Sequence, residues 1–288
     1  MKTYLFVNPA SGQHSAQRLQ YVLERLRERA VIPEVLPVRT PAEIFACCDE
    51  INKDRGPHLV IVAGGDGTFN AVVNGLDSGT ATLAVLPFGT SNVLAAEIGI
   101  ASLDDALERI AAGKTGSLSV GVIKTEGRSH RFVLMAGIGL DGAVVRDVWP
   151  LGKKLLKQGA YALSALKNAV AWDSGLFEIS TPERNVTCHS AIICNASRYG
   201  GNFILEPGST PFAAGLTAVC ISGSRRRTYI RIVSDLFRGT GRQSGNLVRF
   251  PASSIEIRGA KAIQIDGDFI GYGPALISTE ADFARIIV

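Results

Sequence analysis

Apolar and polar positions along the first third of the chain follow two rhythms. Thr3–Val7, His58–Ala63 and Thr82–Leu86 are short apolar runs of strand length. Ala16–Arg29, Phe69–Leu76, Val93–Gly99 and Leu103–Ala112 instead space their apolar residues as helices do. Glu34–Val38 reads as a further strand, placed near a sheet edge by Pro37, which has no N–H for a ladder. Pro41–Asp54 reads as a helix, with Thr40 suited to its cap and Pro41 to its first position. Strands alternating with helices at this spacing predict a parallel sheet covered on both faces.

The pattern changes near residue 117. Leu118–Lys124, Phe132–Ala136, Phe177–Ser180, Val186–Ile193, Thr217–Ile221, Ser254–Arg258 and Ala262–Ile265 all read as strands. Two helical stretches, Leu151–Trp172 and Thr228–Phe237, interrupt them. This predicts an antiparallel, β-rich second domain. The expected division is 1–122 and 123–288, and the last strand, Phe283–Val288, is free in this reading to return to the first domain.

Composition narrows the class. Charged residues are 19% and hydrophobic residues 46%, which excludes a disordered chain. A net charge of +4 is too small to indicate nucleic acid as a partner. The five cysteines (Cys47, Cys48, Cys188, Cys194, Cys220) lack CxxC spacing, which favours reduced thiols in a cytosolic protein. Asn8-Pro9 follows the first apolar run too closely for a signal peptide, and the most apolar window, Ala81–Ile100, is broken by Pro87, Gly89, Asn92 and Glu97. A soluble protein is expected. Glycine, at 31 residues, is the outlier, and points to backbone working close to a ligand.

Those glycines mark the candidate chemistry. Three loops follow three strands: Asn8-Pro9-Ala10-Ser11-Gly12, Gly64-Gly65-Asp66-Gly67-Thr68-Phe69-Asn70, and Pro87-Phe88-Gly89-Thr90-Ser91-Asn92. In an open α/β sheet, ligands bind beyond the carboxyl ends of the strands, so all three can face one crevice. Gly64, Gly65 and Gly67 leave backbone N–H groups accessible to an anion at a helix start. Asp66 would repel a bare phosphate, so its place there makes sense with Mg²⁺ between them. Asn70 stands where a GxGxxG fingerprint needs glycine, and no GxxxxGK[ST], HExxH or GxSxG motif occurs.

Gly64-Gly65-Asp66-Gly67-Thr68 followed by Asn70 resembles the GGDGTxN signature of the diacylglycerol kinase catalytic-domain family, which includes sphingosine and ceramide kinases. Asn8-Pro9-x-Ser11-Gly12 and Gly89-Thr90-x-Asn92 resemble that family's flanking motifs in order and spacing. The likeness continues in Gly137-Ile138-Gly139-Leu140-Asp141, Asn195-Ala196-Ser197-Arg198-Tyr199-Gly200-Gly201 and Asp266-Gly267-Asp268, spanning essentially the whole chain. The soluble bacterial members are the most similar in length and plan. The resemblance implies a phosphofructokinase- and NAD-kinase-like three-layer α/β/α domain followed by an antiparallel β-sandwich-like domain, with ATP bound between them. It implies that Asn8, Ser11, Gly12, Thr40, Gly64, Gly65, Asp66, Gly67, Thr68, Asn70, Gly89 and Thr90 surround the nucleotide. The resemblance implies Asp268 as the proton acceptor for a lipid hydroxyl, and Asp66 and Asp141 are the candidate ligands of a catalytic Mg²⁺, directly or through water.

Three positions depart from the family pattern. Asp268 stands where a glutamate is usual, Val93 where many relatives have Asp, and Ala213-Ala214-Gly215-Leu216 where bacterial relatives often carry Asp-Asp-Gly-Leu. The last change argues against a structural magnesium site. Two basic clusters, Lys153, Lys154 and Lys157 beside Trp149, and Arg225–Arg227 with Arg231 and Arg238, suit contact with an anionic membrane surface. The expectation is therefore a cytoplasmic ATP:lipid phosphotransferase, peripheral on the inner face of the membrane. A homodimer is compatible with the sequence. The rival readings are an NAD kinase and a nucleotide- or lipid-binding regulator without turnover.

Overall fold

The computed structural model describes residues 1–54, 56–147, 174–199, 203–237 and 247–288. The helix expected over Leu151–Trp172, with Trp149 and its lysines, lies outside these residues, as do Gly200, Gly201 and Arg238.

The first part runs β1 (Lys2–Val7), α1 (Ala16–Glu28), β2 (Glu34–Pro37), α2 (Pro41–Lys53), β3 (His58–Gly64), α3 (Asp66–Gly75), β4 (Ala81–Pro87), α4 (Val93–Glu97) and α5 (Leu103–Ala112). The four strands lie parallel in the order β2-β1-β3-β4, with β2 at the edge. Alternation along β3 explains the layers. Val60 and Val62 enter a core with Ile44, Cys48, Val72 and Val73 of α2 and α3. Leu59, Ile61 and Ala63 enter the opposite core with Val22 and Leu26 of α1 and Leu107 and Ile110 of α5. This is the three-layer α/β/α arrangement.

The second part runs β5 (Thr115–Thr125), β6 (Arg128–Phe132), β7 (Met135–Ile138), α6 (Leu140–Asp147), β8 (Phe177–Ser180), β9 (Asn185–Cys188), β10 (Ser190–Cys194), β11 (Arg198–Tyr199), β12 (Phe203–Ile204), β13 (Leu216–Ile221), α7 (Arg226–Phe237), β14 (Leu247–Ala252), β15 (Ser254–Arg258), β16 (Ala262–Ile265), β17 (Asp268–Tyr272) and β18 (Ala275–Ile287). One antiparallel sheet has the order β14-β13-β10-β7-β16-β17. The other strands extend the first sheet as β4-β18-β15-β8-β9, with β5 paired to β18 and β6. Ile179, Ile255, Ile257 and Ile277 of the extended sheet pack on Ile138, Ile193, Ala218 and Ile263 of the second, closing a β-sandwich.

Two expected strands are each broken in the structure. Phe132–Ala136 divides between β6 and β7, and Val186–Ile193 divides at His189 between β9 and β10. In both cases the chain passes from one sheet of the sandwich to the other, so a continuous apolar run hides a corner. The short helix α6, the strands β11, β12, β14 and β17, and the first half of β18 go beyond what the sequence pattern predicts. The junction expected after residue 122 falls inside β5, whose pairing with β18 runs from Thr115 to Lys124. At its far end β18 pairs in parallel with β4, Arg285 opposite Thr82.

Candidate active site

The three glycine loops leave the carboxyl ends of β1, β3 and β4 and pack directly on one another. The Asn8 N–H donates to Ala63 O (3.1 Å), the Phe88 N–H to Gly64 O (3.2 Å) and the Gln13 N–H to Phe88 O (2.9 Å). Asn8 Nδ2 donates to the hydroxyl of buried Thr68 at 2.9 Å. A side chain on Gly89 would place its Cβ 2.5 Å from Gly65 Cα, and one on Gly12 would collide with the Thr90 hydroxyl. The glycines therefore let three backbones converge, which is a different use from freedom in φ. Ser11 closes a turn within the first loop, its N–H donating to Asn8 O at 3.0 Å. Thr40 stands at the exposed end of the edge strand β2. There its hydroxyl accepts the Glu43 N–H (3.3 Å) and Glu43 returns a carboxylate to the Thr40 N–H (3.4 Å), a reciprocal cap on α2.

Helix α3 begins at Asp66 rather than at Phe69, so Asp66, Gly67 and Thr68 form its first turn. No side chain caps this end. The Asp66 carboxylate turns to a neighbouring helix and accepts the N–H groups of Val93 (3.0 Å) and Leu94 (2.9 Å) at the start of α4. The aspartate of the second motif thus anchors the helix that follows the third. Val93, where many relatives have Asp, contributes its N–H to this cap and buries its side chain in the core under α2 and α3.

The turn Asp266-Gly267-Asp268 joins β16 to β17 and meets the start of α3. Asp268 Oδ2 lies 3.6 Å from the point a Cβ on Gly67 would occupy, so this carboxylate faces the glycine loop. Asp266 holds the turn in place. Its oxygens accept the N–H groups of Val133 (2.7 Å), Leu134 (2.9 Å) and Met135 (2.9 Å), and Nδ2 of Asn70 (2.6 Å). Burial pushes the Asp266 carboxyl up to about 6, while the four N–H donors pull it down. Asn70 also donates to Arg131 O at 3.1 Å, so the last residue of the GGDGTxN signature joins α3 to the second part of the chain.

Asp141, in the first turn of α6, accepts the Tyr199 hydroxyl and Nε2 of Gln264 (2.7 Å). Burial raises its carboxyl above the usual range, and these two donors oppose the rise. It shares no hydrogen-bond partner with Asp66. Among the described residues no three His, Cys, Asp or Glu side chains converge on a metal-sized site. Mg²⁺ fits beside Asp66 in one way only: each oxygen accepts one N–H and keeps one lone pair, and this ion commonly takes one or two carboxylates with substrate phosphates and water. The turn at Ala213–Ala214 is exposed and offers no carboxylate.

Three contributors to the site escape the sequence reading. There Asp266 counts only as part of a motif, and Gln264 only as a strand residue. Glu97 counts only as an interruption of an apolar window. The Glu97 carboxylate, nearly buried, accepts Ser197 N–H (3.0 Å), Ser197 Oγ–H (2.8 Å) and Arg198 N–H (3.2 Å). A lone carboxylate in the most apolar window is the available signal, because such a charge must find partners. A cavity of about 480 Å³ lined by His58, Thr80, Thr82 and Arg285 lies at the opposite ends of the strands, away from the glycine loops.

A model of the diacylglycerol kinase catalytic domain matches residues 2–123, and a model of the YegS C-terminal NAD kinase beta sandwich-like domain matches residues 134–288. The chain belongs to the diacylglycerol kinase catalytic-domain family. Relatives in this family include a Bacillus subtilis diacylglycerol kinase, 26% identical over 75% of this chain and 73% of that one. A Mycobacterium tuberculosis diacylglycerol kinase is 25% identical over 96% of this chain and 92% of its own. An uncharacterized Synechocystis protein is 23% identical over 94% of this chain, which spans 66% of that protein's length. In fold, a putative diacylglycerol kinase from Bacillus anthracis superposes with a TM-score of 0.83 at 20% identity, covering 99% of this chain and 94% of its own. An NAD kinase from Archaeoglobus fulgidus, solved in complex with ATP, superposes at 0.52 and 13% identity, covering 100% and 94%. The family and its two-part kinase fold are thereby shown.

Proposed function

We propose that the protein is an ATP-dependent lipid kinase that transfers the γ-phosphate to a hydroxyl of diacylglycerol or a related lipid. The observation that carries this reading is the approach of Asp268 to Gly67, which sets a carboxylate against the first turn of α3 where the glycine loops meet. Phosphoryl transfer passes through a loose transition state, so positioning and charge neutralisation dominate. The N–H groups of the glycine loops and the dipole of α3 suit the phosphates. Mg²⁺, held by Asp66 and the phosphates, would supply further neutralisation. Asp268 would take the proton from the attacking hydroxyl, a contribution of about 10²–10⁴-fold.

The test is lipid-dependent ADP release from Mg-ATP across a panel of hydroxyl lipids in mixed micelles, with NAD as a further acceptor. Asp268→Asn is the control, an isosteric change at an exposed residue, and chemical denaturation checks that the variant keeps the fold. Release that depends on one lipid class and falls at least about 100-fold in the variant supports the proposal. Transfer to NAD alone, or ATP binding without any transfer, replaces it with one of the rival readings.

For access to lipid, Arg225, Arg226, Arg227 and Arg231 lie exposed at the start of α7, and no helix among the described residues is long and apolar enough to cross a membrane. Each such charge near an anionic surface contributes about 1 kcal/mol. Reversal of Arg225–Arg227 to Glu is expected to weaken sedimentation with phosphatidylglycerol vesicles at least about tenfold while leaving ATP affinity unchanged. Equal sedimentation would remove α7 from the membrane face.

A further inference from the structure

We propose that Gln264 is a positioning residue that couples the carboxylate of Asp141 to the turn carrying Asp268, and so sets the aim of the proton acceptor. The role in catalysis rests on the reading of Asp268 given above. Gln264 is buried in β16, at a register shift between Ile263 and Gln264 in the pairing with β17. Such bulges re-aim a side chain and often stand beside active sites. Here the amide bridges two segments. Nε2 donates to Asp141 Oδ2 at 2.7 Å, and Oε1 accepts the N–H of Gly267 at 2.8 Å.

The partners fix the orientation of this amide. A carboxylate only accepts and a backbone N–H only donates, so turning the amide over would set oxygen against oxygen and N–H against N–H. The sequence makes room for the pair at Gly137, where any Cβ would collide with Asp141 Oδ2 and lie 2.7 Å from Gln264 Nε2. On its other side Asp141 accepts the Tyr199 hydroxyl, so the chain of contacts runs Tyr199, Asp141, Gln264, Gly267. Asp266 and Gly267 have φ of +48° and +90°, a left-handed turn that is uncommon outside glycine and that aspartate adopts more readily than most residues. Asp266 is held from the glycine-loop side through Asn70, and Gly267 from the α6 side through Gln264. Asp268 follows directly, so both restraints fix the backbone from which its side chain projects.

The test uses the full chain and two readouts. Gln264→Leu should lower kcat about 10–100-fold with KM for ATP within about twofold, the signature of a misaimed group rather than a lost nucleotide site. Gln264→Glu sets two carboxylates against each other and should lower kcat, whereas Asp141→Asn should lower it less, because its amide oxygen can still accept from Gln264 Nε2. Together they restore the pattern with its two inner partners exchanged. The new amide at position 141 can donate to the new carboxylate at position 264, and that carboxylate can accept the Gly267 N–H. Tyr199 can still donate its hydroxyl to the amide oxygen at position 141. The double variant is expected to return to within about threefold of the wild type. Hydrogen exchange at the 266–268 amides supplies the second readout: faster in Gln264→Leu, protected again in the double variant.

Unchanged kcat in folded Gln264→Leu, or a double variant no better than the worse single one, overturns the proposal. If Gln264→Leu does not fold, the exchange pair decides. If the wild type phosphorylates no lipid, the reading of Asp268 fails by itself, and exchange at Gly267 still decides the coupling: protection that does not follow the Asp141–Gln264 pair refutes it.

Discussion

At Asp266 one carboxylate receives four N–H groups, three from consecutive backbone positions and one from Asn70. Its pKa, about 6 against an ordinary 3.8, gives a signed prediction. The folded state binds the proton more tightly than the unfolded chain does between those values. Stability from this group is therefore fully present below about pH 4 and is lost as pH rises through about 6, with no further change above. Asp266→Asn cannot titrate, so the difference in unfolding free energy, wild type minus variant, should fall between about pH 4 and 6 and then level off. Urea denaturation at several pH values measures it, and a difference independent of pH refutes the assignment.

Elements in this fold are tied by side chains that serve a neighbour rather than their own segment. Asp66 begins α3 but caps α4. Glu97 ends α4 but receives the chain after β10. The capping role matters for interpreting variants. Asp66→Ala frees two N–H groups at the start of α4 and should cost about 1 kcal/mol of stability, within a range of about 0.5–2. Asp66→Asn keeps one acceptor and should cost less. Chemical denaturation separates the two, and equal losses would exclude the cap. Loss of activity in Asp66→Ala thus mixes helix placement with any contact to phosphate.

At the scale of the whole molecule, the extended sheet makes the two parts one cooperative unit. Strand β18 pairs with β4 at one end, with β15 at the other and with β5 along its length. Unfolding should show one transition, with calorimetric and van't Hoff enthalpies in agreement. Two resolved transitions would mean that the sheet parts at β18.

The regular elements of the first part are legible in the sequence because strand and helix rhythms there are strong and the caps use ordinary chemistry, as at Thr40 and Pro41. The convergence of the glycine loops is legible through their positions after successive strands. The corners at Val133–Leu134 and His189 are not, since an apolar run carries no mark of a change of sheet. Nor are the partners of Asp66, Asp266 and Gln264, which lie 27 to 196 residues away for the first two and are set by topology. Gln264 reaches Asp141 across 123 residues for the same reason.

The place of β18 has a consequence for how the protein is made. Translation delivers this strand after all three of the strands it pairs with, and Arg285 pairs with Thr82 across about 200 residues. At a synthesis rate of roughly 5–20 residues per second, the edge of β4 stays bare for roughly 10–40 s. A bare strand edge is a template for pairing with other chains. During that interval two nascent chains held close together can pair through β4, so the order of synthesis sets a window for misassembly that closes when β18 emerges.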